Sequence, residues 1–120
     1  MRAPSDIPHA VRRLEGTGVA VGTVIGFPHG TTSTAAKVAE VRQALADGAS
    51  EVDMVINIGW LRSGFDEQVV ADIAAVVDAA SGHITKVILE TALLDDEQIA
   101  RGSRLTEQGG AAFVKTSTGF

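Results

Sequence analysis

Apolar residues gather into four short runs, VAVGTVIGF (19–27), SEVDMVINI (50–58), TKVILET (85–91) and AAFVKTS (111–117). Between these runs they recur at helical spacing. Runs of this length, rich in valine and isoleucine, predict β-strands. From about Ser33 to Asp47 the helical period puts Val38, Val41 and Leu45 on one face. From about Asp66 to Ala80 it aligns Val69, Ile73, Val76 and Val77. A third helix starts near Asp95, where D-D-E-Q reads as an N-cap with Gln98 at the third helical position. It stops at Gly109-Gly110. A leading helix, about Asp6 to Leu14, precedes the first strand.

Nearly continuous apolar strands alternating with helices predict an α/β protein whose parallel sheet is covered. A (β/α)8 barrel and an open doubly wound sheet both satisfy that rhythm, and the strand contents favour a shared polar site. Period-two alternation sets Asp53, Val55 and Asn57 on one side of the second run, with Val52, Met54 and Ile56 on the other. By the same count Lys86, Ile88 and Glu90 share a side, as do Phe113, Lys115 and Ser117. A charge inside a parallel strand is costly unless it is paired or neutralised. In barrel enzymes such a site lies at the C-terminal ends of the strands. Lys86, at a strand entrance, reads more simply as a solvated cation. Glu90 either positions a catalytic lysine or pairs with it.

Composition narrows the field. The chain has 120 residues, 45% of them hydrophobic and 21% charged, with a net charge of -5 and no cysteine. That describes one folded domain, without a disulfide framework or thiolate metal site. The negative balance argues against nucleic acid or an anionic membrane as partner. No stretch approaches the roughly 20 apolar residues of a membrane span. The N-terminal MRAPSDIPHAVRRLEG lacks a signal-peptide core, so a cytoplasmic location is the default. Three scattered histidines, His9, His29 and His83, offer no metal spacing. Gly16-Thr17-Gly18 precedes a strand instead of following one, which disfavours a dinucleotide loop, and GFPHG lacks the Walker lysine.

Chemistry concentrates in the last run. Lys115 is followed by Thr116, Ser117, Thr118 and Gly119, which would place hydroxyls around an amine at the mouth of a strand. A neutral lysine amine attacks an aldehyde to give an imine, an electron sink for breaking the adjacent carbon–carbon bond. Asp53 is the natural group to move protons in such a cycle.

FVKTSTGF resembles the Schiff-base signature of deoxyribose-phosphate aldolases, and EVDMVINIG resembles their acidic strand. TVIGFPHG and KVILET match neighbouring segments in order and spacing. The resemblance covers essentially the whole chain. It implies reversible cleavage of 2-deoxy-D-ribose 5-phosphate to D-glyceraldehyde 3-phosphate and acetaldehyde, without metal or organic cofactor. Lys115 would form the imine, Asp53 would transfer protons, and Thr118, Asn57 and Glu90 would bind substrate. The partners implied are small phosphorylated sugars and aldehydes, with a homo-oligomer as an open option.

The same resemblance implies a full (β/α)8 barrel, of which residues 1–120 supply about four strands with flanking helices. An opening strand and the C-terminal strands are expected to be missing. In the family a later GFKPAGG-like strand carries a second lysine that assists the first; neither Lys37 nor Lys86 matches it. Weak or absent turnover by this polypeptide alone is therefore expected. An inactive barrel fragment and another Schiff-base barrel aldolase are the alternative readings.

Overall fold

A computed structural model describes residues 2–119. Its four strands, β1 (Gly22–Ile25), β2 (Glu51–Val55), β3 (Ile84–Ile88) and β4 (Phe113–Lys115), form one parallel sheet in the order β1-β2-β3-β4. Five α-helices accompany them: α1 (Ile7–Leu14), α2 (Thr34–Ala46), α3 (Ile58–Arg62), α4 (Asp66–Ala79) and α5 (Asp96–Gln108). Helix α2 packs on α4 and α4 on α5, so the crossover helices make one continuous layer. Strands that follow one another without reversal, with helices on one side, form a partial (β/α)8 barrel. A doubly wound sheet would reverse its order and carry helices on both faces.

Register explains how the strands hold both apolar and charged residues. Thr23 aligns with Val52 and Thr85, and Ile25 with Met54 and Val87. All six are buried on the helix side of the sheet. The opposite face carries Val24, Asp53 and Lys86 in one row, and Ile88 with Lys115 in the next. Period two thus separates a packing face from a chemical one.

The strands are shorter than the apolar runs that announced them. The second run was expected to stay extended to residue 58, but β2 ends at Val55. There the Asn57 side chain accepts a hydrogen bond from the Trp60 backbone N–H at 3.1 Å and caps α3. At five residues, α3 is too short to leave a periodic signal. The predicted cap of α5 forms in full: Asp95 accepts from the Gln98 N–H at 2.8 Å and Gln98 accepts from the Asp95 N–H at 2.9 Å. Arg101 then ties α5 to the α3–α4 corner, donating to Asp66 at 2.7 Å, to Glu97 at 3.1 Å and to the Leu61 carbonyl at 2.9 Å. Asp66 first, and Glu97 after it, hold the guanidinium above its ordinary pKa.

The helix faces hold a correction. Val41 is buried as expected, but Val38 and Leu45 are only half-buried; the other deep positions of α2 are Ala44 and Lys37. On α4, Val69, Ile73 and Val76 are buried together with Asp72, while Val77 is half-buried. Lys37 is 0% exposed, and its ammonium sits 2.5 Å from Asp72. It also donates to the Val55 carbonyl at 3.4 Å, and Asp72 accepts from the Thr34 hydroxyl at 2.6 Å. A periodicity count treats lysine and aspartate as surface residues. Here they cancel each other, and the buried stripe follows the pair.

Close approach to the β2 exit demands a glycine. Gly30 has φ +70, and a Cβ there would lie 2.0 Å from the Ile56 carbonyl oxygen. The turn after β1 therefore rests directly on the strand carrying Asp53. Removing one member of a buried ion pair strands the other, at a typical cost of roughly 3–5 kcal/mol. Lys37→Ala should lower unfolding stability in urea by about that amount. The double substitution Lys37→Met with Asp72→Leu should recover most of the loss. Equal stability of Lys37→Ala and the unaltered protein would refute this account of the pair.

Candidate active site

Lys115 ends β4 and Asp53 lies in the middle of β2, with β3 between them. Two strand spacings of about 4.8 Å separate their backbones. The lysine arm crosses that gap over the face away from the helices, bringing its Nζ to 2.8 Å from Asp53 Oδ2. The two side chains differ in exposure. Asp53 is 5% exposed and Lys115 is 34% exposed, so the carboxylate is fixed while the amine remains reachable from solvent. A charge-assisted hydrogen bond of this length orders both groups.

Below this pair on the same face lies a second one. Lys86 Nζ is 3.3 Å from Glu51 and 5.8 Å from the centre of the Phe113 ring. Lys86 is therefore half-buried and paired, where the sequence suggested a solvated cation. Glu51 was not foreseen. Carrying the alternation one step back from Asp53 would have found it on the same side. Asp53, Lys115, Glu51 and Lys86, with Ala20 and Gly22, line an open cavity of about 340 Å3.

Glu90 falls outside the alternation. β3 ends at Ile88, and Glu90 adopts φ 59, ψ 67, a left-handed conformation uncommon for a residue with a side chain. Its carboxylate accepts the Thr118 N–H at 3.1 Å and, through a short contact, the Thr118 hydroxyl. Thr118 also lines a cavity of about 390 Å3 with Val24, Phe27, Glu40 and residues 2–4. Glu90 thus meets the turn that follows Lys115, not the lysine amine. Asn57 is buried, its carboxamide oxygen used to cap α3. Thr116, Ser117, His9, His29 and His83 are exposed. Among the described residues, no three His, Asp or Glu side chains gather in a way that would hold a metal ion. No helix is long and apolar enough to cross a membrane.

These features define a βα-barrel type of chain with an amine–carboxylate pair on the sheet face away from the helices. The family profile described as DeoC/LacD family aldolase matches residues 6–120, and the chain belongs to that family. It is 54% identical over 117 residues to deoxyribose-phosphate aldolase 2 of Staphylococcus aureus, covering 98% of this chain and 53% of that protein. The deoxyribose-phosphate aldolase of Staphylococcus haemolyticus is 53% identical over the same shares. The chain spans about half the length of the curated relatives it matches.

Solved structures agree. The aldolase QR15 superposes with a TM-score of 0.93 at 36% identity, over 98% of this chain and 52% of that one. Deoxyribose phosphate aldolase from Aeropyrum pernix, whose structure is described as tetrameric, superposes at 0.87 with 34% identity, over 98% and 49%.

Asn57→Ala should remove the α3 cap and lower stability by about 1 kcal/mol. A urea melt unchanged within error would show that the cap contributes nothing.

Proposed function

We propose that this chain carries the reacting groups of a deoxyribose-phosphate aldolase, with Lys115 as the imine-forming amine and Asp53 as its proton carrier. The observation behind this reading is the 2.8 Å contact between a partly exposed amine and a buried carboxylate. The names of the 53–54% identical relatives support it.

The chemistry follows from the pair. An ammonium must lose a proton before it attacks, and Asp53 is within hydrogen-bond reach of that proton. The amine adds to the carbonyl of 2-deoxy-D-ribose 5-phosphate, and water leaves to give a protonated imine. The imine draws the electrons of the bond between C2 and C3 as the C3 hydroxyl gives its proton to Asp53, releasing D-glyceraldehyde 3-phosphate and leaving an enamine on Lys115. Protonation of the enamine and hydrolysis release acetaldehyde and restore the amine. No metal or organic cofactor enters this cycle. Thr118 serves as a contact for substrate hydroxyls, held by Glu90, while Asn57 supports the β2 exit.

In this reading residues 1–120 belong to one incomplete barrel domain, with three βα units and a fourth strand among the described residues. The enzyme degrades deoxyribonucleotide-derived sugar. Its substrate is a charged sugar phosphate that membranes retain, so we assign it to the cytoplasm. The tetrameric structure described for the Aeropyrum pernix relative supports a homo-oligomer.

Acetaldehyde followed by cyanoborohydride should leave a stable adduct on Lys115, located by peptide mass spectrometry and absent from Lys115→Ala. Loss of a positioned proton carrier costs on the order of 10²-fold, so Asp53→Asn should slow labelling by about that factor. Label spread evenly over Lys86 and the N-terminal amine, with none favouring Lys115, would overturn the reading.

A further inference from the structure

We propose that Glu51 is a positioning residue: by holding the ammonium of Lys86 it keeps Asp53 free for Lys115. The role assigned to it rests on the reading of Lys115 as the imine-forming amine and Asp53 as its proton carrier.

Sheet register alone would pair these charges differently. Lys86 on β3 is the direct cross-strand neighbour of Asp53, on the face away from the helices. Aligned residues on adjacent strands stand about 4.8 Å apart, and at such a separation opposite charges attract. Lys115 starts from further away. It is aligned with Ile88, one row above Asp53, and β3 lies between its strand and β2. The shorter path belongs to Lys86, yet the 2.8 Å contact is made by Lys115.

Two groups divert Lys86. Glu51 precedes Asp53 by two residues on β2, hence on the same face, and its carboxylate is 3.3 Å from the Lys86 ammonium. Phe113 is the aligned neighbour of Lys86 on β4, with its ring centre 5.8 Å from that ammonium. At this distance an aromatic face attracts a cation. Glu51 draws the lysine arm towards the strand entrances, and Phe113 draws it to the side of β3 opposite Asp53. On its other flank Asp53 meets only the apolar Val24 of β1.

The cavity these groups share is lined by two cations and two anions, Lys86, Lys115, Glu51 and Asp53, with Ala20 and Gly22. Each ammonium therefore has its own carboxylate. Without Glu51, two ammoniums would face one carboxylate, and the nearer one would take a share of it. An Asp53 occupied by Lys86 accepts no proton from Lys115.

Acetaldehyde condenses with the Lys115 amine with loss of water, and hydride from cyanoborohydride reduces the C=N bond to a secondary amine that peptide mass spectrometry quantifies. In Glu51→Gln the carboxamide keeps the shape and loses the charge. Labelling of Lys115 should then slow roughly tenfold, the size of one hydrogen bond. Adding Lys86→Met should restore most of the rate, because the competing ammonium is gone. In an Asp53→Asn background Glu51→Gln should slow labelling no further, since residues that act through one another do not add.

A Glu51→Gln rate equal to that of the unaltered protein would overturn the proposal. So would a double variant as slow as Glu51→Gln alone, since Glu51 would then act on its strand and not through Lys86. A crystal structure of Glu51→Gln reads the pairing without any aldehyde. Lys86 Nζ should lie within hydrogen-bond distance of Asp53, and a Lys86 unmoved beside Phe113 would sink the idea. No adduct on Lys115 in the unaltered protein would overturn the imine reading itself and the part of Glu51 in it, while the crystal structure would still judge the pairing.

Discussion

An ammonium with no access to water must be answered within one hydrogen-bond length, and much of this fold is arranged around such an answer. Lys37 reaches from α2 to Asp72 on α4, and Asp72 in turn takes the hydroxyl of Thr34 at the start of α2. The same ammonium donates to the carbonyl of Val55, where β2 ends. One charge thus relates two helices to the end of the strand that carries Asp53. Apolar contacts drive collapse without fixing direction. This pair holds only in one relative placement of α2, α4 and β2, and Gly30 then lets the turn after β1 close over the junction.

The chemical face depends on that placement in a second way. Lys115 and Asp53 are neighbours neither in sequence nor in the sheet; β3 separates them. Their contact exists because the parallel register sets the strands at fixed heights and points both side chains to the same face. Lys86 and Glu51 repeat the arrangement one level lower, leaving no unpaired lysine in that part of the cavity. Asp53 is buried and Lys115 half-buried, which leaves the amine the more accessible of the two.

The strands, the main helices and the α5 cap were legible because each follows from local spacing: period two, period 3.6, and a D-x-x-Q cap. Lys115 and Asp53 were legible because a charge inside an apolar strand contradicts its surroundings. Other features depended on partners remote in sequence. The burial of Lys37 left no local signal because its partner Asp72 lies 35 positions away. Glu90 was assigned a face by alternation, but the chain turns left-handed at that residue, and alternation cannot anticipate such a break. Asn57 was read as an inward strand residue. Its ability to cap the next helix ended the strand before it.

Helix α3, the smallest of the five, also gives the protein an optical property. Its Trp60 is the only tryptophan in the sequence, which contains no tyrosine. The indole is partly buried against the core, and its backbone N–H is held by Asn57 just beyond the end of β2. Ultraviolet emission excited near the red edge of protein absorption therefore originates from one address, four residues past the Ile56 carbonyl on which Gly30 rests and seven past Asp53. A spectrum of the whole molecule is in effect a local reading of the strand exit beside the reactive pair.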